Sequence, residues 1–143
     1  MNKLFLFCAL LFTPLAARAD LGFWGANLVG TWRHPVSGDR YHFRSDATYT
    51  FTAGAAKRRT GQMSHVGFWK IVEPTPRESG GSLEGPVALL LKSRRRVVWE
   101  NSKRRMLRSN RVFRLVVDVM VREENRVDKR YYHIGGVKWV RMG

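Results

Sequence analysis

The densest chemistry in this sequence is cationic. Lys92, Arg94, Arg95, Arg96, Lys103, Arg104, Arg105, Arg108, Arg111 and Arg114 fall within 23 residues, with Glu100 the one acid among them, a local charge of +9. Such a run creates a strong positive potential that draws anions from a distance. Arginine dominates over lysine, and a guanidinium is a planar fork that takes phosphate or carboxylate through two parallel hydrogen bonds. Arg94, Arg95, Arg96, Lys103, Arg104, Arg105 and Arg108 are therefore the candidate anion-binding residues. The plainer alternative is a solvated face on an arginine-rich protein. Trp99 and Met106 lie within the run, where they can insert into an interface; Trp99 also fits a place in the core.

Catalytic chemistry is poorly represented. No two of His34, His42, His65 and His133 have helical i,i+4 spacing, and no His-Glu-x-x-His occurs. His42 and His133 can face each other across strands and hold a metal, or be ordinary half-buried strand residues; the second reading is adopted. No Gly-x-Ser-x-Gly is present, and Gly80-Gly81 sits in a proline-bearing stretch with no helix after it to cradle phosphate. The sequence predicts a protein without catalytic residues, cofactor or bound metal.

Composition bounds the rest. The chain has 143 residues, 26 Lys+Arg against 11 Asp+Glu for a net charge of +15, 44% hydrophobic and 12% aromatic residues. That is one domain, too apolar to be disordered despite its charge. No apolar run reaches the ~20 residues of a membrane-spanning helix. Residues 1–19 read as a secretory signal peptide: Lys3 gives the positive start, Leu4 to Leu15 the apolar stretch, and Ala17-Arg18-Ala19 the small-x-small pattern before cleavage at Asp20. The competing reading, a buried N-terminal helix, is opposed by Pro14. The single cysteine, Cys8, leaves with the leader, so residues 20–143 carry no thiol and, without Lys3 and Arg18, a charge of +13. The expected location is exported, periplasmic or secreted, in a bacterium. Export argues against nucleic acid as the partner of the basic run. It favours envelope anions: lipopolysaccharide phosphates, lipid headgroups at a membrane surface, or acidic wall polymers.

The elements that must carry these residues read as strands. Asn27–Arg33 is the first and Arg40–Arg44 the second. Ala47–Ala53 alternates cleanly, with Ala47, Tyr49, Phe51 and Ala53 on one side and three threonines on the other. At Ser45-Asp46 a tight turn is expected, although Ala47 disfavours the positive φ of a two-residue type I′ turn. Met63–Glu73 follows, with Gly67 marking a bulge or a bend. Glu73–Gly85, with its prolines and glycines, reads as loop. Val87–Lys92 and Arg96–Glu100 read as a hairpin around Ser93-Arg94-Arg95, and Asn101–Arg108 is ambiguous. Arg111–Arg122 is a long strand, Glu123-Glu124-Asn125 a turn, and Arg130–Met142 the last strand, interrupted at Gly135-Gly136. Short turns imply antiparallel pairing, and closure removes exposed edges. The expectation is an all-β fold without helices: a single antiparallel up-and-down barrel of about eight strands.

Leu28-Val29-Gly30-Thr31-Trp32 resembles the Gly-x-Trp signature of lipocalins and bacterial lipocalin-like proteins. Ser37–Thr52 (SGDRYHFRSDATYTFT) and Val66–Val72 (VGFWKIV) follow in the order of small exported lipocalin-like domains, so the similarity covers roughly residues 27–92. It implies that Trp32 plugs one end of the barrel, that Gly30 belongs to the same motif, and that Arg141 lies across the indole as a cation–π partner. Tyr41, Phe43, Tyr49, Phe51, Trp69, Ile71, Leu89, Leu91, Phe113 and Leu115 then become candidates to line a ligand cavity, or else to fill it. The leading expectation is an exported barrel that binds a hydrophobic or amphipathic, anionic, lipid-like small molecule. The alternative is an envelope interaction module with a filled core, using its outer arginines on an anionic polymer.

Overall fold

A computed structural model describes residues 21–55, 64–81, 85–121 and 127–143, with backbone alone at 119–121 and 127–129. The expected leader, the turn at Glu123-Glu124-Asn125 and most of the Gly54–Gln62 connection lie outside them. The described elements are helix α1 (Leu21–Leu28), β1 (Gly30–Arg33), β2 (Arg40–Phe43), β3 (Thr48–Thr52), β4 (Ser64–Val72), the one-turn helix α2 (Pro76–Ser79), β5 (Val87–Glu100), β6 (Lys103–Arg108), β7 (Val112–Val121), β8 (Val127–Ile134) and β9 (Val137–Met142).

All pairings are antiparallel. The order β4-β3-β2-β1-β9-β8-β7-β5 closes on itself through β4 with β5. β6 shares the β7 side of β5: β7 pairs with Val87–Lys92 and β6 with Arg95–Glu100. The two behave as one stave broken between Arg108 and Val112, so the barrel has eight staves. Across the break Ser93 N donates to Arg111 O (2.8 Å) and Ser109 N to Arg94 O (2.9 Å).

Two expectations are corrected here. Ser93-Arg94-Arg95 is not a hairpin tip, because β5 runs unbroken for 14 residues through it. The reversal comes at Asn101-Ser102, both at positive φ (48° and 62°), which suits a two-residue hairpin turn of the primed kind. The ambiguous segment that follows is β6. Ala47 does take positive φ, 65°. Asp46 Oδ1 accepts from Thr48 N (3.0 Å) and from the Thr48 hydroxyl (2.6 Å), and Ala47 O accepts from Trp69 N (2.9 Å), which together hold the strained turn.

The expectation of no helix also fails at both ends of the loop chemistry. The residues expected to open the first strand instead complete α1, and β1 begins at Gly30. Gly22 and Gly25 give α1 little intrinsic helix preference. Tertiary packing supplies it: Trp24 and Leu28, four apart on one face, are both buried. α2 forms inside the Pro/Gly loop because Thr75 and Glu78 make a reciprocal capping box with Pro76 in the first turn.

Gly67 sits at a bulge. Val66 pairs with Arg95 but Gly67 pairs with Ser93, so Arg94 is the extra residue on β5. The strands approach so closely that a Cβ on Gly67 would lie 1.9 Å from the Lys92 carbonyl oxygen. One inserted residue reverses the alternation of β5 beyond this point. Before it, Leu89, Leu91 and Ser93 point inward; after it, Arg95, Val97 and Trp99 share the outer face with Val66 and Ser64.

Candidate functional site: an outer trough beside the bulge

Rings occupy the barrel interior. Tyr41 lies 5.2 Å from Phe43, 4.8 Å from Phe51 and 4.9 Å from Trp139. Phe43 lies 5.5 Å from Trp69. His65 stacks between Phe51 (4.8 Å) and Phe113 (4.9 Å). Leu89 and Leu91 are fully buried, and Ile71 and Leu115 pack against the same cluster. The ten candidate lining residues, Tyr49 included, are thus brought together, packed against one another and against His65 and Trp139. Burial keeps the polar members neutral. It pushes the Tyr41 and Tyr49 hydroxyls well above the usual phenol range and lowers the His65 imidazole to about 4. The Tyr49 hydroxyl and His65 Nδ1 share a hydrogen bond of 2.7 Å.

One barrel end is covered by α1. Trp32, just inside, is fully buried, stacks on Tyr132 at 4.8 Å and donates Nε1–H to Leu28 O (2.8 Å). The Arg141 guanidinium carbon lies 4.4 Å from the Trp32 ring centroid, Nη1 donates to Val29 O (2.9 Å), and Nη2 donates to Asn27 O. Position 30 must be glycine here. Its φ is 136°, and a Cβ would meet Arg141 Nη1 at 2.7 Å.

The basic run separates into distinct environments. Arg114 forks onto Glu78 (Nη2 to Oε1 2.8 Å) and donates to Glu73 O, fastening α2 to β7; that fork, with the Thr75 hydrogen bonds, lowers the Glu78 carboxyl to about 2. Arg105 pairs with Glu100 at 2.8 Å on an exposed surface. Lys103 and Arg105 lie opposite Glu100 and Val98, and Arg96 lies opposite Leu107. This row alternates with the one that carries Arg95, Val97 and Trp99.

Arg94, Arg95 and Arg108 gather on the other face. They line an open groove of about 1050 Å³ over the outer surfaces of β3, β4 and β5, with Arg44 and Lys92 completing its five cations. Its lining also includes Thr48, Thr50, Ser109, Asn110, Val66 and Phe68, and contains no acidic residue. Arg94, the bulge residue, sets its guanidinium carbon 5.2 Å from the centroid of half-exposed Phe68. Arg95 Nη1 reaches Met106 Sδ (3.9 Å), and Arg44 Nη1 donates to the Thr50 hydroxyl (3.1 Å). Asp46 stands next to Arg44. Its carboxyl is lowered first by the Thr48 side-chain and backbone hydrogen bonds and then by the Arg44 charge.

Arg44, Lys92, Thr50 and Phe68 were not among the sequence candidates. Strand register alone brings them to the groove: Thr50 is opposite Val66, and Phe68 opposite Lys92. The signal available in the sequence was the outward threonine row of the β3 alternation, which marks a polar face without saying what lies beside it.

His42 and His133 sit on β2 and β8, which β1 and β9 separate, and His42 Nδ1 lies 2.6 Å from the Thr31 hydroxyl. Among the described residues no three His, Cys, Asp or Glu side chains come together to hold a metal ion, and no helix is long and apolar enough to cross a membrane. The molecule is thus a closed antiparallel β-barrel with a helix over one end and a basic trough on its outer wall. No protein family, curated protein or solved structure matches the chain.

Proposed function

We propose that the protein is an exported binding protein that holds phosphate-bearing envelope anions in the outer trough. The observation that carries this reading is the grouping of Arg44, Lys92, Arg94, Arg95 and Arg108 around one groove whose lining has no carboxylate. Guanidinium forks with neighbouring hydroxyls suit phosphate or sulfate oxygens. The +13 charge of residues 20–143 adds long-range attraction for such anions.

This reading takes the anionic partner expected from the basic run and places it outside the barrel. Ring-to-ring contacts throughout the interior support core duty for Tyr41, Phe43, Tyr49, Phe51 and Trp69. The arrangement of Gly30, Trp32 and Arg141 supports a lipocalin-like barrel, and the apolar stretch before Asp20 supports export.

Calorimetric titration with a size-defined heparin fragment at several salt concentrations tests the reading. Saturable binding that weakens linearly in log salt is expected, because bound cations release condensed counterions. Absence of saturable binding at low salt would reject it.

A further inference from the structure

The trough continues beyond its cations. Past Arg95 the outer face opens into a more enclosed pocket of about 300 Å³, with Phe51, Val66, Val97, Trp99 and Met106 as its apolar lining and Arg95 and Arg104 as its cations. The register explains the composition. Arg95 faces Arg108, Val97 faces Met106, and Trp99 faces Arg104. Residues opposite each other across a ladder share a face, so this wall of the hairpin reads cation, apolar, then aromatic with cation. Thr50, Val66 and Arg95 line both the basic groove and the apolar pocket, so the two are one continuous surface. Met106 stands 53% exposed on it.

We propose that the trough holds a phosphorylated acyl lipid, one molecule at a time, with the phosphate among Arg94, Arg95 and Arg108 and the chain along Val97, Trp99 and Met106. This rests on the anion-binding reading and adds the class of ligand. A purely polar polyanion would satisfy the arginines and leave the Trp99–Met106 surface in water. An uncharged chain would cover that surface and leave the cations without counter-charge. A phosphate monoester carrying a chain answers both at once. The pocket volume is at the lower end of the ~300–1,000 Å³ usual for small-molecule sites, which fits a single chain rather than a bulky ring system.

The test uses the full chain and four soluble probes in calorimetry at one ionic strength: octyl phosphate below its micellar concentration, inorganic phosphate, 1-octanol and a heparin fragment. Octyl phosphate is expected to bind about 100-fold more tightly than inorganic phosphate, since burying part of an eight-carbon chain supplies that factor. Replacing Trp99→Ala and Met106→Ala together should reduce octyl phosphate affinity at least about tenfold and leave heparin within about twofold. Should the double variant fail to fold, Met106→Gln at its exposed position, which adds no charge beside the arginines, should give the same selective loss. Octyl phosphate binding no tighter than inorganic phosphate while heparin still binds would overturn the lipid assignment and leave the anion reading standing. Loss of all anion binding by the wild-type chain would remove both. Octanol binding as tightly as octyl phosphate would also overturn the assignment. So would binding to phosphatidylglycerol vesicles without binding to soluble octyl phosphate, which would mark a membrane surface instead of a single lipid.

Discussion

Arg94 and Phe68 meet across the bulge, guanidinium carbon 5.2 Å from ring centroid, on the outside of a barrel whose other large rings are mostly buried. Arg94 is in this position because it is the extra residue of β5. Without the insertion Arg95, Val97 and Trp99 would continue the inward row of Leu91 and Ser93 instead of joining Arg94 on the outer wall. The cation–π contact orients a guanidinium without consuming its hydrogen-bond donors, which leaves them for a ligand.

Replacing Phe68→Leu should therefore lower affinity for a heparin fragment by roughly two- to fivefold, the worth of an exposed cation–π contact. Stability should hardly change at this half-exposed position. Calorimetric titration beside urea unfolding checks both. An unchanged affinity would show that Arg94 does not need the ring.

Arg141→Ala should destabilise the barrel by about 2–4 kcal/mol. It removes the charge over Trp32 and leaves the Asn27 and Val29 carbonyls, part-buried at the α1–β1 junction, without their donor. Urea unfolding measures the change. Arg141→Lys should recover only part of it, because an ammonium cannot reproduce the fork that reaches two carbonyls while covering the indole.

Gly67→Ala should cost at least about 3 kcal/mol or prevent folding, since the added carbon would fall 1.9 Å from the Lys92 carbonyl oxygen and the β4–β5 backbones would have to part. By contrast, Gly80→Ala meets no atom within 4 Å; only its left-handed φ of 60° opposes it, at a cost of about 1 kcal/mol. Thermal melts of the two variants give the comparison.

Stability should fall as the solution is acidified from pH 6.5 towards 4. His65, pressed between Phe51 and Phe113, has its folded-state pKa lowered to about 4 by burial, against about 6.5 when unfolded. Between those values the unfolded chain binds a proton that the folded chain refuses, so its contribution is complete above about pH 6.5 and lost as the pH falls to about 4. The change amounts to about 3 kcal/mol at most. Urea midpoints at pH 7.0, 5.5 and 4.5 should decline for the wild type, and the decline should be flatter in His65→Phe. Glu78, held to about 2 chiefly by the Arg114 fork against about 4.5 when unfolded, adds its own loss only at the acid end of this window and below it.

How much of this was legible in the sequence depended on whether a local rule agreed with the tertiary outcome. The Tyr49–Phe51 alternation announced β3 because period two and β-propensity coincide there. Gly67 announced a bulge because glycine inside a strand has few other uses. Ser93-Arg94-Arg95 misled because three polar residues in a row look like a turn. They are a strand whose alternation slips by one residue, a fact that only the pairing with Val66 and Gly67 reveals. Asn27 and Leu28 misled in another way: they read as the start of the first strand, and Gly22 and Gly25 hid a helix that only packing of Trp24 and Leu28 sustains. The trough was half visible. Arg94, Arg95 and Arg108 stood out as charge, but Arg44 and Phe68 lie far from them in the chain and join only through register.

The most direct test of the account sets two triple variants of equal charge against each other. One replaces Arg94, Arg95 and Arg108 with serine inside the trough; the other replaces Arg77, Lys103 and Lys138, exposed cations outside its lining. Heparin-fragment affinity is measured for both at about 0.1 M salt, where distant charges are largely screened. The account predicts a loss of at least about 30-fold for the trough variant and less than about threefold for the other, since a formed site gathers contacts that general charge does not. Equal losses in the two would contradict it and reduce the basic run to a diffuse, solvated positive surface.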